Sequence, residues 1–512
     1  MLKLRKTISL LLATLLLVSC FGISFAGAAV VDPNEPLENW NYDHLPQIYV
    51  QGFESKWVYY KDDPDHNSLL FPVDTDRLLG NFGNFKSYAE EALAKGDPRL
   101  AYNIVYGALW DSFGATALKP DGVTMQDEVT VDPDELRFSP SDGEYTFKYD
   151  ARLDPVDIAH TLHTYIDWVR QHSGQDKFEL VGSSYGTSVV VAYLYLYGWE
   201  EFDSVVLCVP SLEGVNFVGE LFSGSFNFDP DAVEAFASGM LGDETIQVLL
   251  STLNDLGILD VLLALIVEPT LNIAVMNALE DIIHDIFATH PAMWAFVEDE
   301  YFYDALENIY GDDWNEDTEE YRELIDKVIF FHEEIKTKDR EIIQEAVDSG
   351  LHFNIISKYN KAPFPFSEDG NFTGDGFVDL ENASLGATVA MNGEKLPEGY
   401  TQQKYTDYNF MSPDGVIDAS TCLLPFNTWF IKDLAHGEKP DYYYAMINRI
   451  LYEDLDVFTS DTLPQFVKNT GDAIVPLEAE EEEPQMSLIE KIGFLFKKLF
   501  EMIVEAIKGM FA

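Results

Sequence analysis

From Asn39 onward, short runs of β-branched and aromatic residues alternate with stretches whose apolar positions recur at helical spacing. Strands are predicted at Gln47-Ile48-Tyr49-Val50, at Tyr145-Thr146-Phe147-Lys148-Tyr149 and at Phe178-Glu179-Leu180-Val181. Three more follow at Ser204 to Cys208, Phe353-Asn354-Ile355-Ile356 and Thr428 to Ile431. Ile158, Leu162, Tyr165, Ile166 and Val169 share one face of a predicted helix over Asp157 to Val169. A strongly apolar helix is predicted over Thr187 to Tyr197, and another from about Asp441 to Tyr452. Strand and helix signals in alternation predict an α/β fold, a mostly parallel sheet flanked by helices on both faces.

The pattern breaks in three places. Between residues 212 and 350 it becomes one of acidic helices, with Val248 to Val267 and Leu271 to Phe287 the most apolar. Because strand-like runs resume afterwards, this stretch is read as a helical cap inserted over one end of the sheet. A separate helical domain with no part in binding is the alternative. At the other end, Glu480 to Glu483 and Pro484 mark an exposed linker over 478–486. Ser487 and Glu490 then open a predicted helix over 487–512 with a Ser-x-x-Glu capping box. Ile492, Leu495, Phe496, Leu499, Ile503 and Ile507 share its apolar face, opposite Lys491, Lys498, Glu501, Glu505 and Lys508. So many charges argue against a membrane span; the helix either lies flat on a membrane surface or docks on protein.

The first residues have the form of an export signal: basic Lys3, Arg5 and Lys6, then an apolar run from Ile8 to Val18 too short to cross a bilayer. Two processing routes fit. Leu17-Val18-Ser19-Cys20 resembles a bacterial lipobox that would lipidate Cys20, whereas Ala26-Gly27-Ala28 suits ordinary signal-peptidase cleavage. Either route places the mature protein in an extracellular or cell-envelope location. The chain thus divides into a signal over 1–28, a core over 39–211 and 351–477, the cap between them, the linker and the tail helix.

Composition narrows the chemistry. The 512 residues hold 32 Lys plus Arg against 89 Asp plus Glu, a formal net charge of −57. Such a charge repels phosphate backbones and excludes nucleic acid as a partner. It favours cations such as Ca²⁺ without identifying a site, so no metal ligands are assigned. Hydrophobic residues at 47% exclude wholesale disorder. Only Cys20, Cys208 and Cys422 are present, which excludes a disulfide-rich scaffold, a Cys₄ zinc site and cysteine-ligated iron–sulfur chemistry. Outside the cytoplasm Cys208 and Cys422 either pair or remain small buried thiols.

One motif carries chemistry. In Val181-Gly182-Ser183-Ser184-Tyr185-Gly186, a Gly-x-Ser-x-Gly sits between a predicted strand and a predicted helix. That is the context of a nucleophile elbow, a strained turn that needs small residues on both flanks of the serine. The spacing selects Ser184 as nucleophile, and the N–H of Tyr185 at the helix start as an oxyanion donor. A second donor is expected from the turn after an earlier strand, where Gln51-Gly52-Phe53 offers the N–H of Phe53. His436, between the last predicted strand and the helix from Asp441, is the candidate general base. The orienting acid lies between Ile356 and His436 in chain order; Asp414 is the first choice, ahead of Asp375 and then Asp418. Gly471-Asp472-Ala473-Ile474-Val475-Pro476 has no histidine after it and is read as structural.

Together, Phe147-Lys148-Tyr149-Asp150-Ala151-Arg152-Leu153-Asp154-Pro155 and the elbow resemble the α/β-hydrolase superfamily over about 44–210 and 350–452. The Tyr-Asp-x-Arg strand end most resembles its lecithin–cholesterol acyltransferase and phospholipase-like branch. The Ser-Tyr-Gly-Thr elbow is also similar to the prolyl and tripeptidyl aminopeptidase branch. Many relatives carry His-Gly where this chain has Gln51-Gly52. The resemblance implies a Ser–His–acid triad, acyl-enzyme chemistry and no cofactor, without fixing the substrate. The apolar cap and tail favour an ester or lipid substrate; an aminopeptidase or a non-catalytic surface-binding protein of the same fold are the alternatives.

Overall fold

A computed structural model of the chain describes residues 28–63, 69–71, 85–225, 269–312, 314, 319–361, 372–453, 455–458 and 460–479. The export signal with Cys20, the apolar run from Val248 to Val267 and the tail helix lie outside the described residues, as does nearly all of the linker.

Ten strands form one sheet: β1 (Ala29–Val31), β2 (Gln47–Val50), β3 (Leu136–Ser139), β4 (Glu144–Phe147), β5 (Phe178–Ser183), β6 (Phe202–Cys208), β7 (His352–Tyr359), β8 (Thr428–Lys432), β9 (Phe466–Asn469) and β10 (Ile474–Pro476). Their spatial order is β1-β3-β4-β2-β5-β6-β7-β8-β9-β10. From β4 to β9 every neighbouring pair is parallel, and only the edges, β1-β3-β4 and β9-β10, run antiparallel. Strands covered on both faces read as continuous apolar runs, and every residue of β5 is buried.

The helices follow from their ends and faces. Asp154 caps the helix Pro155–Ser173 by accepting from the Val156 N–H at 2.8 Å, and Pro155 needs no N–H partner there. Gly174, at φ 68°, ends it in the left-handed region. The helix Tyr185–Tyr197 is buried continuously from Tyr185 to Leu194, as a helix apolar all round must be. It begins directly at the end of β5, so the elbow stands at the carboxyl edge of the sheet, where parallel sheets place their ligands.

All six predicted strands and three predicted helices are present, within a few residues at their ends. Four sheet strands were not foreseen: β1, β3, β9 and β10 are short strands at or next to the sheet's edges whose apolar pattern is weak. β1 shows that the fold starts ahead of residue 39. The connection from β2 to β3 also carries a small sheet, Val58–Tyr60 with Leu69–Phe71 and Val129–Val131, and a helix Pro98–Phe113. Among the described residues, the chain between β6 and β7 is mostly helical. Its helix Pro269–Asp285 packs on Pro98–Phe113, where the Tyr106 hydroxyl donates to Asp285 at 2.7 Å. Both excursions therefore build one helical layer. Gly471-Asp472-Ala473 is the turn of the β9–β10 hairpin, a structural role as predicted.

Candidate active site

Ser184 is the one link between β5 and its helix, and its backbone is held at φ 54° and ψ −126°. A non-glycine residue in that region is strained, and persists only where its surroundings over-determine it. Three contacts do so. The Ser184 N–H donates to the Cys208 carbonyl at 2.9 Å, and the Thr187 hydroxyl and N–H donate to the Ser184 carbonyl at 2.6 and 2.9 Å. The flanking glycines are required by closeness. A Cβ on Gly186 would stand 2.5 Å from the carbonyl oxygens of both Val50 and Gln51. A Cβ on Gly52 would stand 3.1 Å from the Ser184 Cβ.

Those distances place the turn after β2 against the nucleophile candidate. Phe53 follows Gly52, and Tyr185 opens its helix, where the first N–H groups have no intrahelical acceptor. The turn is braced from below: Tyr149 donates its hydroxyl to the Gln51 carbonyl and its N–H to Ser55 Oγ at 2.8 Å. Gln51 is itself buried.

Opposite Ser184, His436 comes from the loop between β8 and the helix Asp441–Tyr452. Its Nε2 accepts from Ser184 Oγ at 2.8 Å, and its Nδ1 donates to Asp375 Oδ2 at 2.7 Å. Asp375 is in turn held by the Phe377 and Val378 N–H groups, which donate to its Oδ1 at 3.0 and 2.8 Å. The His436 N–H donates to the Asp375 carbonyl at 3.0 Å, so backbone and side chain of the pair are fixed together. All three residues are buried.

Asp414, the first choice among the acids, is elsewhere. It accepts from the Tyr359 hydroxyl at 2.9 Å and from Ser412 Oγ at 2.6 Å, and pairs with Lys432 at 3.2 Å. Asp418 accepts from the Tyr400 hydroxyl and the Gln403 N–H, both at 2.9 Å. Spacing along the chain favoured Asp414 because its link to His436 is short. The fold favours Asp375 because bridges from Lys361 to Gly374 and Asp375 return the chain to the end of β7, beside the histidine loop.

Several residues around the site carried no motif. Lys358, on β7, is fully buried; burial pushes its ammonium down to about 7, although the Asp375 charge pulls it upward. Lys439 and Glu54 form a part-buried ion pair joining the histidine loop to the turn after β2. Burial alone would raise the Glu54 carboxyl, but Lys439 holds it below its usual range. A lysine inside an apolar strand run was the one available sequence signal for Lys358. Around the serine stands an aromatic wall. Phe53 lies 5.2 Å, ring to ring, from both Tyr185 and Phe296, and Phe377 lies 5.0 Å from His436 and 6.0 Å from Phe296. Phe296 belongs to the insertion between β6 and β7, which thus reaches the site. Cys208 and Cys422 are both buried free thiols. Among the described residues, no group of three or more His, Cys, Asp or Glu is arranged to hold a metal, and no helix is long and apolar enough to cross a membrane.

The family model described as alpha/beta hydrolase fold matches residues 138–305 of the chain, which include β4, β5, the elbow and the start of the helical insertion. Comparison with curated proteins and with solved structures yields no match.

Proposed function

We propose that this chain is a hydrolase of the α/β-hydrolase fold, whose model matches residues 138–305, and that it cleaves a carboxylic ester, lipid-like in its acyl or alcohol part, through an acyl-enzyme on Ser184. The observation that carries this reading is the continuous relay Ser184–His436–Asp375, at 2.8 and 2.7 Å. His436 takes the Ser184 proton as Oγ attacks the carbonyl, then returns it to the leaving alcohol. Asp375 replaces Asp414 as the acid that fixes the tautomer and stabilises the imidazolium. The N–H groups of Phe53 and Tyr185 receive the oxyanion, each donor worth roughly 3–4 kcal/mol of barrier. Deacylation repeats the cycle with water, and no cofactor enters either half. The aromatic wall of Phe53, Phe296 and Phe377 favours an apolar substrate. The export signal and the tail helix support a secreted or envelope-attached enzyme working at a lipid surface.

One observation favours an aminopeptidase as the second reading. Glu298, two residues beyond Phe296, has an Oε2 with no hydrogen-bond partner, and its carboxyl is raised to about 7, first by burial. Asp379, near enough to feel the Glu298 charge, is raised as well, again mainly by burial. A substrate ammonium group would supply the counter-charge that lets such carboxyls release their protons and pair with it.

Intact-mass labelling of the full chain with a fluorophosphonate tests the nucleophile. One adduct is expected on the wild type, none on Ser184→Ala, and labelling at least ~100-fold slower on His436→Ala. A folded wild type that takes up no reagent would favour the non-catalytic binding alternative instead. A panel of acyl esters and aminoacyl arylamides then separates the two substrate classes.

A further inference from the structure

Lys358 makes contacts that reach past packing. Its side chain leaves β7 beneath the catalytic loop, is entirely buried, and ends on three backbone carbonyls: Ala435 at 3.2 Å, His436 at 3.1 Å and Glu438 at 2.7 Å. The ammonium also stands 4.3 Å from the centroid of the Tyr443 ring. An ammonium has three N–H donors and no acceptor. Here each donor has a carbonyl, all three on one loop, and the middle carbonyl belongs to His436 itself. Buried charge is costly unless it is fully hydrogen-bonded, and this arrangement satisfies that condition with backbone groups of the histidine loop rather than with a carboxylate.

We propose that Lys358 is the positioning residue for His436: its ammonium gathers the 435–438 carbonyls and so sets the height of the imidazole between Ser184 and Asp375. The proposal rests on the Ser184–His436–Asp375 reading. His436 must meet two partners at once, at 2.8 and 2.7 Å, and a displacement of about 1 Å at such a point costs on the order of 10²-fold in rate. The role requires the charged form. A neutral amine keeps two donors and turns a lone pair toward the third carbonyl, which opens the loop.

The charged groups that face Lys358 bear on when that form is present. Burial is the largest effect and brings the group to about 7; Asp375 and Glu438 favour the ammonium, Lys439 opposes it, and the Cys208 thiol at the end of β6, itself raised by burial to about 11, stays neutral there. The proton balance is therefore poised where activity would be measured. As pH rises through about 7, Lys358 loses its proton in the folded enzyme, and turnover falls.

The test compares wild type with Lys358→Met and Lys358→Gln as full chains. Each is followed by kcat and KM for a short acyl ester and by fluorophosphonate labelling, between about pH 5 and pH 9. The downfield proton resonance of His436 Nδ1–H, which reports the bond to Asp375, is recorded alongside. Wild type is expected to decline on the alkaline side. The variants are expected to lose kcat by about 10–100-fold with KM within about twofold, to lack the alkaline decline, and to shift or lose the resonance. Folded variants with wild-type kcat, pH profile and resonance overturn the proposal. If neither variant folds, the wild type alone decides: constant activity and an unchanged resonance up to about pH 9 overturn it. A folded wild type that never labels at Ser184 overturns the nucleophile reading instead. The resonance then judges Lys358 by itself, since an identical signal with and without the lysine overturns the positioning role.

Discussion

Asp375 and Asp414 are both buried carboxylates in the chain between β7 and β8, and their partners separate them. Asp375 faces an imidazole, whereas Asp414 faces a phenol, a serine hydroxyl and the Lys432 ammonium. Asn at 375 keeps the shape but presents an amide to Nδ1, favouring the wrong tautomer. Asp375→Asn is therefore expected to lower kcat by about 10³–10⁴-fold with little change in melting temperature. Asp414→Asn removes the counter-charge of a buried lysine and is expected to cost about 3–5 kcal/mol of stability, with kcat of the folded fraction close to wild type. Steady-state kinetics and thermal melts on the two variants check the assignment. The converse pattern, with catalysis lost at 414 and retained at 375, would restore the acid that chain spacing favoured. Ser184 and His436 were legible because a strand–turn–helix signature and a strand–loop–helix order constrain them locally. The acid was not, because its place depends on how a long excursion after β7 folds back to Lys361, a non-local pairing that no local pattern encodes. Lys358 and the Glu54–Lys439 pair were equally hidden, since their partners are backbone carbonyls or a residue far along the chain.

The elbow, as an element, depends on two close backbone crossings. The helix Tyr185–Tyr197 can start where it does only because β2 passes within contact of Gly186, and the same approach sets the Gln51-Gly52-Phe53 turn beside Ser184. Gly186→Ala would press a methyl group into two backbone carbonyl oxygens, neither of which can rotate away as a side-chain end would. The expected result is separation of the β2 turn from the elbow, seen as fluorophosphonate labelling slowed by at least ~10²-fold together with a lower melting temperature. Unchanged labelling would show that the turn after β2 contributes nothing to reactivity. At this scale the sheet's parallel centre was well marked in the sequence, because strands buried on both faces must be apolar throughout. Its edges were not, because short antiparallel strands such as β1 and β10 leave residues exposed and carry little periodicity. The helical layer was foreseen only in part. Its contribution from Pro98–Phe113 lies before the elbow in the chain, and only tertiary packing on Pro269–Asp285 joins the two.

Over the whole molecule, buried carboxyls and net charge pull stability down as pH rises, and they outnumber the buried bases His290, His332 and Lys358, whose lowered proton affinity acts in the opposite direction. Glu144 and Glu179, on adjacent regions of the sheet, are each pushed up from an ordinary 4.5 to about 8, first by burial and then by a neighbouring aspartate. Asp154, Glu298 and Asp339 are each raised to about 7, mainly by burial. The sign follows from proton counting. Below about pH 4.5 the folded and unfolded chains both hold these protons, and no linkage arises. Between about 4.5 and about 8 the unfolded chain has released them while the folded chain retains them, so the folded state binds more protons and stability falls as pH rises. The formal charge of −57 adds self-repulsion with the same sign. Groups held low act oppositely at the acid end: Arg152 overcomes burial to keep Asp150 ionised, and protonating it there costs a buried pair. Maximum stability is therefore expected near pH 5, with the melting temperature falling steadily toward pH 8. In the double variant Glu144→Gln/Glu179→Gln that slope should flatten, and stability at pH 8 should rise by on the order of a few kcal/mol. Denaturant titrations at both pH values decide the point. A double variant whose slope equals that of the wild type would leave the pH dependence to Asp154, Glu298, Asp339 and the surface charge, of which added salt is expected to remove only the surface part.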